Sequence, residues 1–279
     1  MTEAVKLITE MGQKARAAFT MLAGVSDAQK SDALTAAARH LRASHAVILA
    51  ANQRDMENAR ARGLTDAMLD RLMIDEARLA AIAAAVEKVA NLPDPVGQII
   101  DRSEQPNGLV MERIRVPLGV IGIIYESRPN VTADAAALAL RSGNAVILRG
   151  GSEAIESNRA IFDAMTAGVV EAGLAEHAIQ LVQTTDRAAV GAMLKANGLI
   201  DIIIPRGGKS LVKRVQDEAS VPILAHLDGI NHTYIGKDAD QDKAIAIAVN
   251  AKMRRTGVCG AMETLLIDQD YPAPGALVR

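Results

Sequence analysis

The chain has 279 residues and a formal net charge of −2, with 49% hydrophobic residues, two Phe, three Tyr and no Trp. This length and apolar fraction predict one large α/β domain or two smaller ones, while the near-neutral charge and scarce aromatic rings argue against nucleic acid as a partner. One cysteine excludes an internal disulfide and the N-terminus lacks a signal-peptide pattern, so we expect a cytoplasmic protein. The longest apolar run is too short to span a bilayer, so we expect no membrane role.

The first part of the chain, residues 1–98, is rich in alanine and repeats apolar residues at helical spacing, which predicts three or four helices. Ser26 is a candidate N-cap in this region, and Gly63 is a candidate stop. Residues 99–116 then form two short β-like segments around an Asn-Gly pair, which indicates a hairpin.

Strands and helices alternate from residue 117 onwards. Each of four strand-like runs is followed by a helical segment of ten or more residues: "GVIGIIY", "AVILRG", "IQLVQ" and "DIIIP". This alternation predicts a doubly wound, Rossmann-type parallel sheet over residues 117–225, with ligands at the carboxyl ends of its strands. Residues 226–279 begin a second α/β unit with strand, helix and strand and then stop, so we interpret them as an incomplete domain.

Two strands end in the same pattern of arginine, two glycines and a polar residue, "RGGS" from Arg149 and "RGGK" from Arg206. Glycines let a ligand approach the backbone, and the first turn of the following helix offers free N–H groups to a phosphate. One pair of glycines alone is explained by a tight turn, whereas two pairs on neighbouring strand ends favour a nucleotide site. Arg149 and Lys209 are candidate partners of a ribose 2′-phosphate or a pyrophosphate, and the alternative is that both are solvated loop charges.

The segment "YESRPNVTADA" follows the first strand of the predicted sheet and therefore places Ser127, Arg128 and Asn130 at the ligand edge. The carboxamide of Asn130 can donate a hydrogen bond to a developing oxyanion, a contribution of about 3 kcal/mol in known enzymes. Asn is also among the best N-cap residues, and spacing alone favours the cap.

The only cysteine, Cys259, lies in "KMRRTGVCGAMETLL". Cations at Lys252, Arg254 and Arg255 favour the thiolate that attacks carbonyls, and Gly260 leaves the backbone open to a substrate. The alternative is an inert buried thiol, beside basic residues that pair with a helix C-terminus. These residues by themselves support both interpretations equally.

Taken together, four segments resemble the γ-glutamyl phosphate reductases, also called glutamate-5-semialdehyde dehydrogenases, a family of the aldehyde dehydrogenase superfamily. They are "PLGVIGIIYESRPNVTADAAALALRSGNAVILRGGSEAIESN", "DIIIPRGGKSL", "VPILAHLDGINHTYI" and "NAKMRRTGVCGAMETLL". The resemblance implies an aldehyde-dehydrogenase-like fold, with residues 99–116 as an oligomerisation hairpin and residues 226–279 as the beginning of the catalytic domain. Family chains continue well beyond this point, so we expect a C-terminal truncation.

The resemblance also implies roles for single residues. Cys259 matches the catalytic nucleophile, and Asn130 matches the asparagine that holds the oxyanion together with the cysteine N–H. The residues implied around the substrate are Arg128, His226 and Arg255. The residues implied around an NADPH cofactor are Ser127, Pro129, Arg149, Gly150, Gly151, Ser152, Glu153, Arg206, Gly207, Gly208, Lys209 and Ser210. No metal is expected.

The function that the resemblance implies is NADPH-dependent reduction of L-glutamyl 5-phosphate to L-glutamate 5-semialdehyde, the second step of proline biosynthesis, through a cysteine thioester. His226 stands where hydrolytic aldehyde dehydrogenases carry a glutamate that activates water. The absence of this glutamate fits a thioester that is reduced by hydride and not hydrolysed. The alternative is that His226 is a strand-end histidine hydrogen-bonded in the core. The resemblance suggests a homo-oligomer at full length and glutamate 5-kinase as a protein partner. The alternatives are a non-phosphorylating aldehyde dehydrogenase for another semialdehyde and a non-catalytic nucleotide-binding fragment.

Overall fold

The computed structural model of the chain describes residues 2–226, 229–254, 256 and 258–276. The chain divides into two compact units, Met1–Ala225 and His226–Arg279. In the described part, no helix is both long and apolar enough to cross a membrane.

The first unit begins with a layer of helices. They are α1 (Glu3–Leu22), α2 (Asp27–Ala43), α3 (His45–Ala61), α4 (Asp66–Leu72) and α5 (Glu76–Ala90). Ser26 caps α2 as predicted, because its Oγ accepts from the Gln29 N–H at 3.3 Å while the Gln29 side chain accepts from the Ser26 N–H at 3.0 Å. Gly63, at φ +71°, follows the end of α3. This layer has five helices and not the predicted three or four. The chain leaves helical geometry at Ser44, which separates α2 from α3, and α4 is an additional short helix of seven residues.

A β-hairpin follows the helices. Strands β1 (Ile99–Glu104) and β2 (Val110–Ile114) pair antiparallel, and Gly108 in the connecting turn has φ +83°. This positive φ is the reason why an Asn-Gly sequence is favourable there, and the predicted hairpin is confirmed.

Four parallel strands form the sheet of the first unit, and a helix follows each. The strands are β3 (Val120–Tyr125), β4 (Ala145–Arg149), β5 (Ile179–Leu181) and β6 (Ile202–Arg206); the helices are α6 (Asn130–Arg141), α7 (Ile155–Glu171), α8 (Ala188–Leu194) and α9 (Lys209–Glu218). The spatial order is β5-β4-β3-β6, with every pair parallel. The predicted βα alternation and the Rossmann-type sheet are therefore confirmed, although α8, with seven residues, is shorter than the predicted ten or more.

The strand order corrects one expectation. The two strands that end in Arg-Gly-Gly, β4 and β6, are not neighbours, because both pair with β3, which lies between them. The chain adds β4 and β5 on one side of β3 and then returns to add β6 on the other. This reversal is the topological switch point at which open α/β sheets bind ligands.

The core of the first unit consists mainly of Ala, Val, Ile and Leu, and all residues of β3 and β4 are buried. Small side chains allow the helices to approach closely. A Cβ on Gly168 of α7 would lie 2.2 Å from the backbone nitrogen of Ala37 in α2. The alanine-rich composition therefore packs helices tightly over a sheet whose strands β3, β4 and β5 are fully buried.

The second unit has the predicted sequence of strand, helix and strand: β7 (Asn231–Ile235), α10 (Gln241–Met253) and β8 (Met262–Ile267). The two strands pair parallel, and the Asp240 side chain caps α10 by accepting from the Lys243 N–H at 2.9 Å. Buried Ile235, Ala244 and Tyr271 form a small core.

Candidate active site

The carboxyl ends of the first unit's strands surround a cavity of about 320 Å³. Its lining includes Arg149, Gly151, Ser152, Glu153 and Ser210, which come from the connections after β4 and β6. The two Arg-Gly-Gly turns therefore contribute to the same edge of the sheet although their strands are not adjacent. The segment after β3 lies between them, because β3 is the central strand.

Two carboxylates of the protein accept hydrogen bonds from this edge. Glu153 Oε1 accepts from both the N–H and the Oγ of Ser127, at 2.6 and 2.8 Å. Glu126 Oε2 accepts from the Gly208 N–H at 3.0 Å, at the start of α9. Ser127 has φ +48°, an uncommon conformation for a residue with a side chain. The Gly208 N–H, which lies at a turn that the sequence pattern assigned to a phosphate, thus faces an anion of the chain itself.

Arg149 is buried, with only 9% of its surface exposed, so the interpretation of Arg149 as a solvated loop charge is wrong. Its Nη1 donates to the Gly150 carbonyl at 2.9 Å and its Nη2 to the Thr185 carbonyl at 3.4 Å, whereas its buried Nε has no hydrogen-bond partner. Burial lowers the pKa of Arg149, nearby Glu153 raises it, and the neighbouring guanidiniums of Arg187 and Arg214 lower it further. Lys209, by contrast, is exposed at the first residue of α9.

The glycine after Arg149 is required by packing within the protein. A Cβ on Gly150 would lie 2.1 Å from Asn158 Nδ2. Asn158 Oδ1 accepts from Thr132 Oγ1 at 3.1 Å, and Thr132 shares a 2.7 Å hydrogen bond with the Tyr125 hydroxyl. Gly150 has no positive φ, so a buried polar network, and not turn geometry, explains why it is glycine.

Asn130 is the first residue of α6, and Pro129 holds the N-cap position without a side-chain hydrogen bond. The interpretation of Asn130 as the cap is therefore wrong. Its Nδ2 donates instead to Asp134 Oδ2 at 2.8 Å, and burial raises the pKa of Asp134. An amide nitrogen carries two protons, so this pair leaves one N–H of Asn130 to act as a donor. Pro129 is buried and Arg128 is exposed.

In the second unit, Cys259 lies in the loop between α10 and β8. It is exposed, so the interpretation of Cys259 as an inert buried thiol is wrong. Its carbonyl accepts from Asn231 Nδ2 at 2.5 Å, and the same nitrogen donates to the Ala261 carbonyl at 3.1 Å. A Cβ on Gly229 would lie 2.2 Å from the Cys259 oxygen. An amide on β7 and a glycine just before that strand therefore position the cysteine loop.

The other residues predicted near the substrate or as cations beside the thiol are placed as follows. His226 is exposed and lies outside regular structure, so the interpretation as a hydrogen-bonded core histidine is wrong. Lys252 Nζ lies 3.8 Å from Glu263 Oε2, and Arg254 is the exposed C-cap of α10. Arg255 lies outside the described residues. Within residues 2–226, 229–254, 256 and 258–276, no group of three or more His, Cys, Asp or Glu side chains could hold a metal ion.

Sequence reasoning did not single out several residues that shape the two sites. Glu126 and Asn231 lie inside segments that were quoted for other reasons, so their positions were available. Arg187 lies just before α8 and Arg214 lies within α9. Both line the cavity because the order of the strands brings these two helices to it. No local pattern marks them.

Three comparisons place the chain among known proteins. The model of the aldehyde dehydrogenase family matches residues 3–273. The curated γ-glutamyl phosphate reductase of Rhizorhabdus wittichii is 66% identical over 272 residues, covering 98% of this chain and 63% of that protein. The same-named protein of Sphingopyxis alaskensis is 67% identical over 276 residues, covering 99% of this chain and 64% of that protein. The chain thus spans less than two thirds of the length of these relatives.

Solved structures agree with these matches. The crystal structure of the γ-glutamyl phosphate reductase of Thermotoga maritima has a TM-score of 0.88 and 38% identity, covering 97% of this chain and 66% of that one. The corresponding structure from Saccharomyces cerevisiae has a TM-score of 0.74 and 32% identity, covering 98% of this chain and 67% of that one.

Proposed function

Because the chain belongs to the aldehyde dehydrogenase family, we propose that it supplies the cofactor-binding unit and the nucleophile of a γ-glutamyl phosphate reductase. The reaction is reduction of L-glutamyl 5-phosphate to L-glutamate 5-semialdehyde with release of phosphate, the second step of proline biosynthesis. The observation that carries this proposal is the 66% identity with a curated reductase of that name over nearly the whole chain.

The proposed nucleophile is Cys259, whose exposed position allows a substrate to reach it. Its thiolate attacks the γ-carbonyl carbon, and Asn130 and the Cys259 N–H stabilise the tetrahedral oxyanion by hydrogen bonding. Collapse of this intermediate breaks the carbon–oxygen bond to phosphate and leaves a thioester, with Arg255 as the proposed cation beside the departing phosphate. No water-activating base is needed, which agrees with a histidine at position 226.

The proposed cofactor is NADPH, which supplies the hydride when bound. The fit is supported by the buried guanidinium of Arg149, whose Nε has no protein partner, and by the polar side chains of Ser152 and Ser210 at the same cavity. A dinucleotide phosphate at the start of α9 must compete with the Glu126 carboxylate for the Gly208 N–H. The remaining cofactor residues, from Ser127 to Ser210, keep the roles that the resemblance implies.

We also propose a cytoplasmic location, a homo-oligomer of the full-length protein and a functional association with glutamate 5-kinase. The oligomer and the kinase association rest on the family resemblance, whereas the cytoplasmic location rests on the single cysteine, which favours a reducing compartment. The exposed apolar side chains of the hairpin also support the proposed oligomer.

The test is turnover in the oxidative direction, with glutamate 5-semialdehyde, NADP⁺ and inorganic phosphate. The wild-type chain should reduce NADP⁺ only when phosphate is present, and Cys259→Ser should lower the rate about a thousandfold or more because a hydroxyl replaces the thiolate nucleophile. Thr256→Ser, in the same loop, is the matched control and should keep the wild-type rate.

Other results would support other functions. A Cys259→Ser protein that kept most of the activity would contradict the proposed nucleophile. Activity that did not need phosphate would favour a non-phosphorylating aldehyde dehydrogenase. Binding of NADPH without any turnover would favour a non-catalytic nucleotide-binding fragment.

A further inference from the structure

The loop that carries Cys259 has little packing of its own. Cys259 is exposed, and a Cβ added to Gly260 would meet nothing within 4 Å. The loop closes through a backbone hydrogen bond from the Ala261 N–H to the Val258 carbonyl at 3.0 Å, which leaves Gly260 inside the turn. Glycine has the widest backbone freedom of any residue, so a nucleophile beside it needs a restraint from outside the loop.

Asn231 supplies such a restraint from the neighbouring strand. Its Nδ2 donates to the Cys259 carbonyl at 2.5 Å and to the Ala261 carbonyl at 3.1 Å. An amide nitrogen carries two protons, so these two bonds use its full capacity as a donor. The two carbonyls lie on either side of Gly260, and one side chain therefore holds the loop before and after its most flexible residue.

The bond to the Cys259 carbonyl also sets the orientation of the peptide group that follows the nucleophile. In a trans peptide group the carbonyl and the next N–H point in opposite directions. Because the Cys259 carbonyl points at Asn231, the Gly260 N–H points away from β7. The close approach needs a glycine at position 229, since a Cβ there would lie 2.2 Å from the Cys259 oxygen.

We propose that Asn231 is a positioning residue for the nucleophile: its amide holds the loop in the conformation that presents the thiol and the Cys259 N–H to the same substrate carbonyl. The inference rests on the proposed function, because it needs Cys259 to attack an acyl phosphate. Asn231 acts through the backbone of the loop. It is suited to this role because β7 pairs with β8, the strand that the loop enters, and a paired strand is a more rigid support than a loop.

Two small reagents separate positioning of the thiol from simple access to it. Attack of the thiolate on acetyl phosphate forms a carbon–sulfur bond, breaks the carbon–oxygen bond to phosphate and releases inorganic phosphate, so it benefits from an aligned oxyanion donor. Alkylation by iodoacetamide displaces iodide and needs an accessible thiolate but no oxyanion donor. Cys259 is the only cysteine of the chain, so mass spectrometry of the intact protein follows both reactions at one site.

The test measures both rates for the full chain and its variants. Asn231→Leu keeps the approximate size of the side chain but has no donor, so it should lower the acetylation rate about tenfold or more and change the alkylation rate less than about threefold. Asn231→Ala should give the same pattern without adding bulk beside Gly229. The matched control is Asn250→Leu at an exposed position of α10, which should change neither rate. Circular dichroism checks that each variant is folded.

The outcomes separate this inference from the proposed reaction. Equal losses in both rates would show that Asn231 governs access alone, and unchanged rates would show that it restrains nothing, so either result would overturn the positioning role. A wild-type Cys259 that reacts with acetyl phosphate no faster than glutathione would contradict the proposed nucleophile as well. Acetylation that depends on Asn231, in a chain that does not turn over NADPH, would support the positioning role and contradict only the reduction.

Discussion

At the scale of single residues, two glycines of the first unit differ in whether the structure has room for a side chain. A Cβ on Gly150 would collide with Asn158 at 2.1 Å and approach Tyr125 at 3.1 Å, inside the buried network with Thr132. Gly191, in the middle of α8, has no positive φ, and a Cβ added there would meet nothing within 4 Å. Neither role follows from the residue type alone.

Gly150→Ala should therefore destabilise the first unit by about 1–3 kcal/mol, because the new methyl group overpacks a closed polar network. Gly191→Ala should stabilise it by about 0.5–1 kcal/mol, because alanine loses less backbone entropy than glycine in a helix. Urea unfolding followed by circular dichroism measures both changes. Equal effects of the two substitutions would contradict the packing role of Gly150.

At the scale of elements, α7 begins without a cap of its own and is capped by a residue of another helix. Its N-cap residue, Ala154, has a methyl side chain that cannot accept a hydrogen bond. Asp55 of α3 instead accepts from the N–H groups of Glu156 and Ser157, at 3.3 and 2.8 Å, and from the Ser157 hydroxyl at 2.6 Å. This contact ties the helical layer to the helix that follows the β4 connection, and so to the cavity.

Asp55→Ala should destabilise the first unit by about 2–3 kcal/mol, because it leaves buried donors at the start of α7 unsatisfied. The control is Asp32→Ala on the exposed face of α2, which should change the free energy of unfolding by less than about 0.5 kcal/mol. Denaturant titration of both variants checks the difference. Similar values for the two would show that Asp55 does not cap α7.

Burial raises the pKa of Asp55 in the folded chain. A carboxyl group with a raised folded-state pKa contributes stability that is complete below its unfolded pKa, and that contribution is lost as pH rises through the folded pKa. The free energy of unfolding of Asp55→Asn, taken relative to wild type, should therefore increase from acid toward neutral pH. A pH-independent difference between the two proteins would contradict the raised pKa.

At the scale of the whole molecule, the hairpin is the apolar surface that needs an explanation. Ile99, Ile100, Val110, Met111 and Ile114 are each between 43% and 55% exposed. Exposed apolar side chains on two paired strands are typical of a protein interface, and we propose that this hairpin is the oligomerisation element.

A charge on the hairpin should therefore reduce association. Met111→Asp is expected to lower the molar mass measured by size-exclusion chromatography with light scattering, because it places a carboxylate in an apolar interface. Met21→Asp, at a methionine of α1 that is 63% exposed, is the control and should leave the mass unchanged. If both variants keep the wild-type mass, or the wild type is already monomeric, the hairpin does not join copies of this chain.

Local sequence determined much of this protein. Periodicity and turn residues predicted the helical layer, the hairpin at Asn-Gly and the four βα repeats, because propensity, capping and positive φ act within a few residues. The resemblance of the quoted segments pointed to the aldehyde dehydrogenase family and to the cysteine loop. The spacing that favours Asn130 as a cap is off by one residue, because a helix start is uncertain by a residue and Pro129 holds the N-cap position of α6.

Only the tertiary structure decided which distant residues share one surface. The order β5-β4-β3-β6 separates the two Arg-Gly-Gly strands, buries Arg149 and adds Arg187 and Arg214 to its cavity. Parallel strands are joined through crossovers that carry no local record of their final neighbours, so side-chain burial and charge clustering arise only when the sheet forms. The sequence by itself therefore determined the elements and the family, and the packing of the sheet decided where its charges meet.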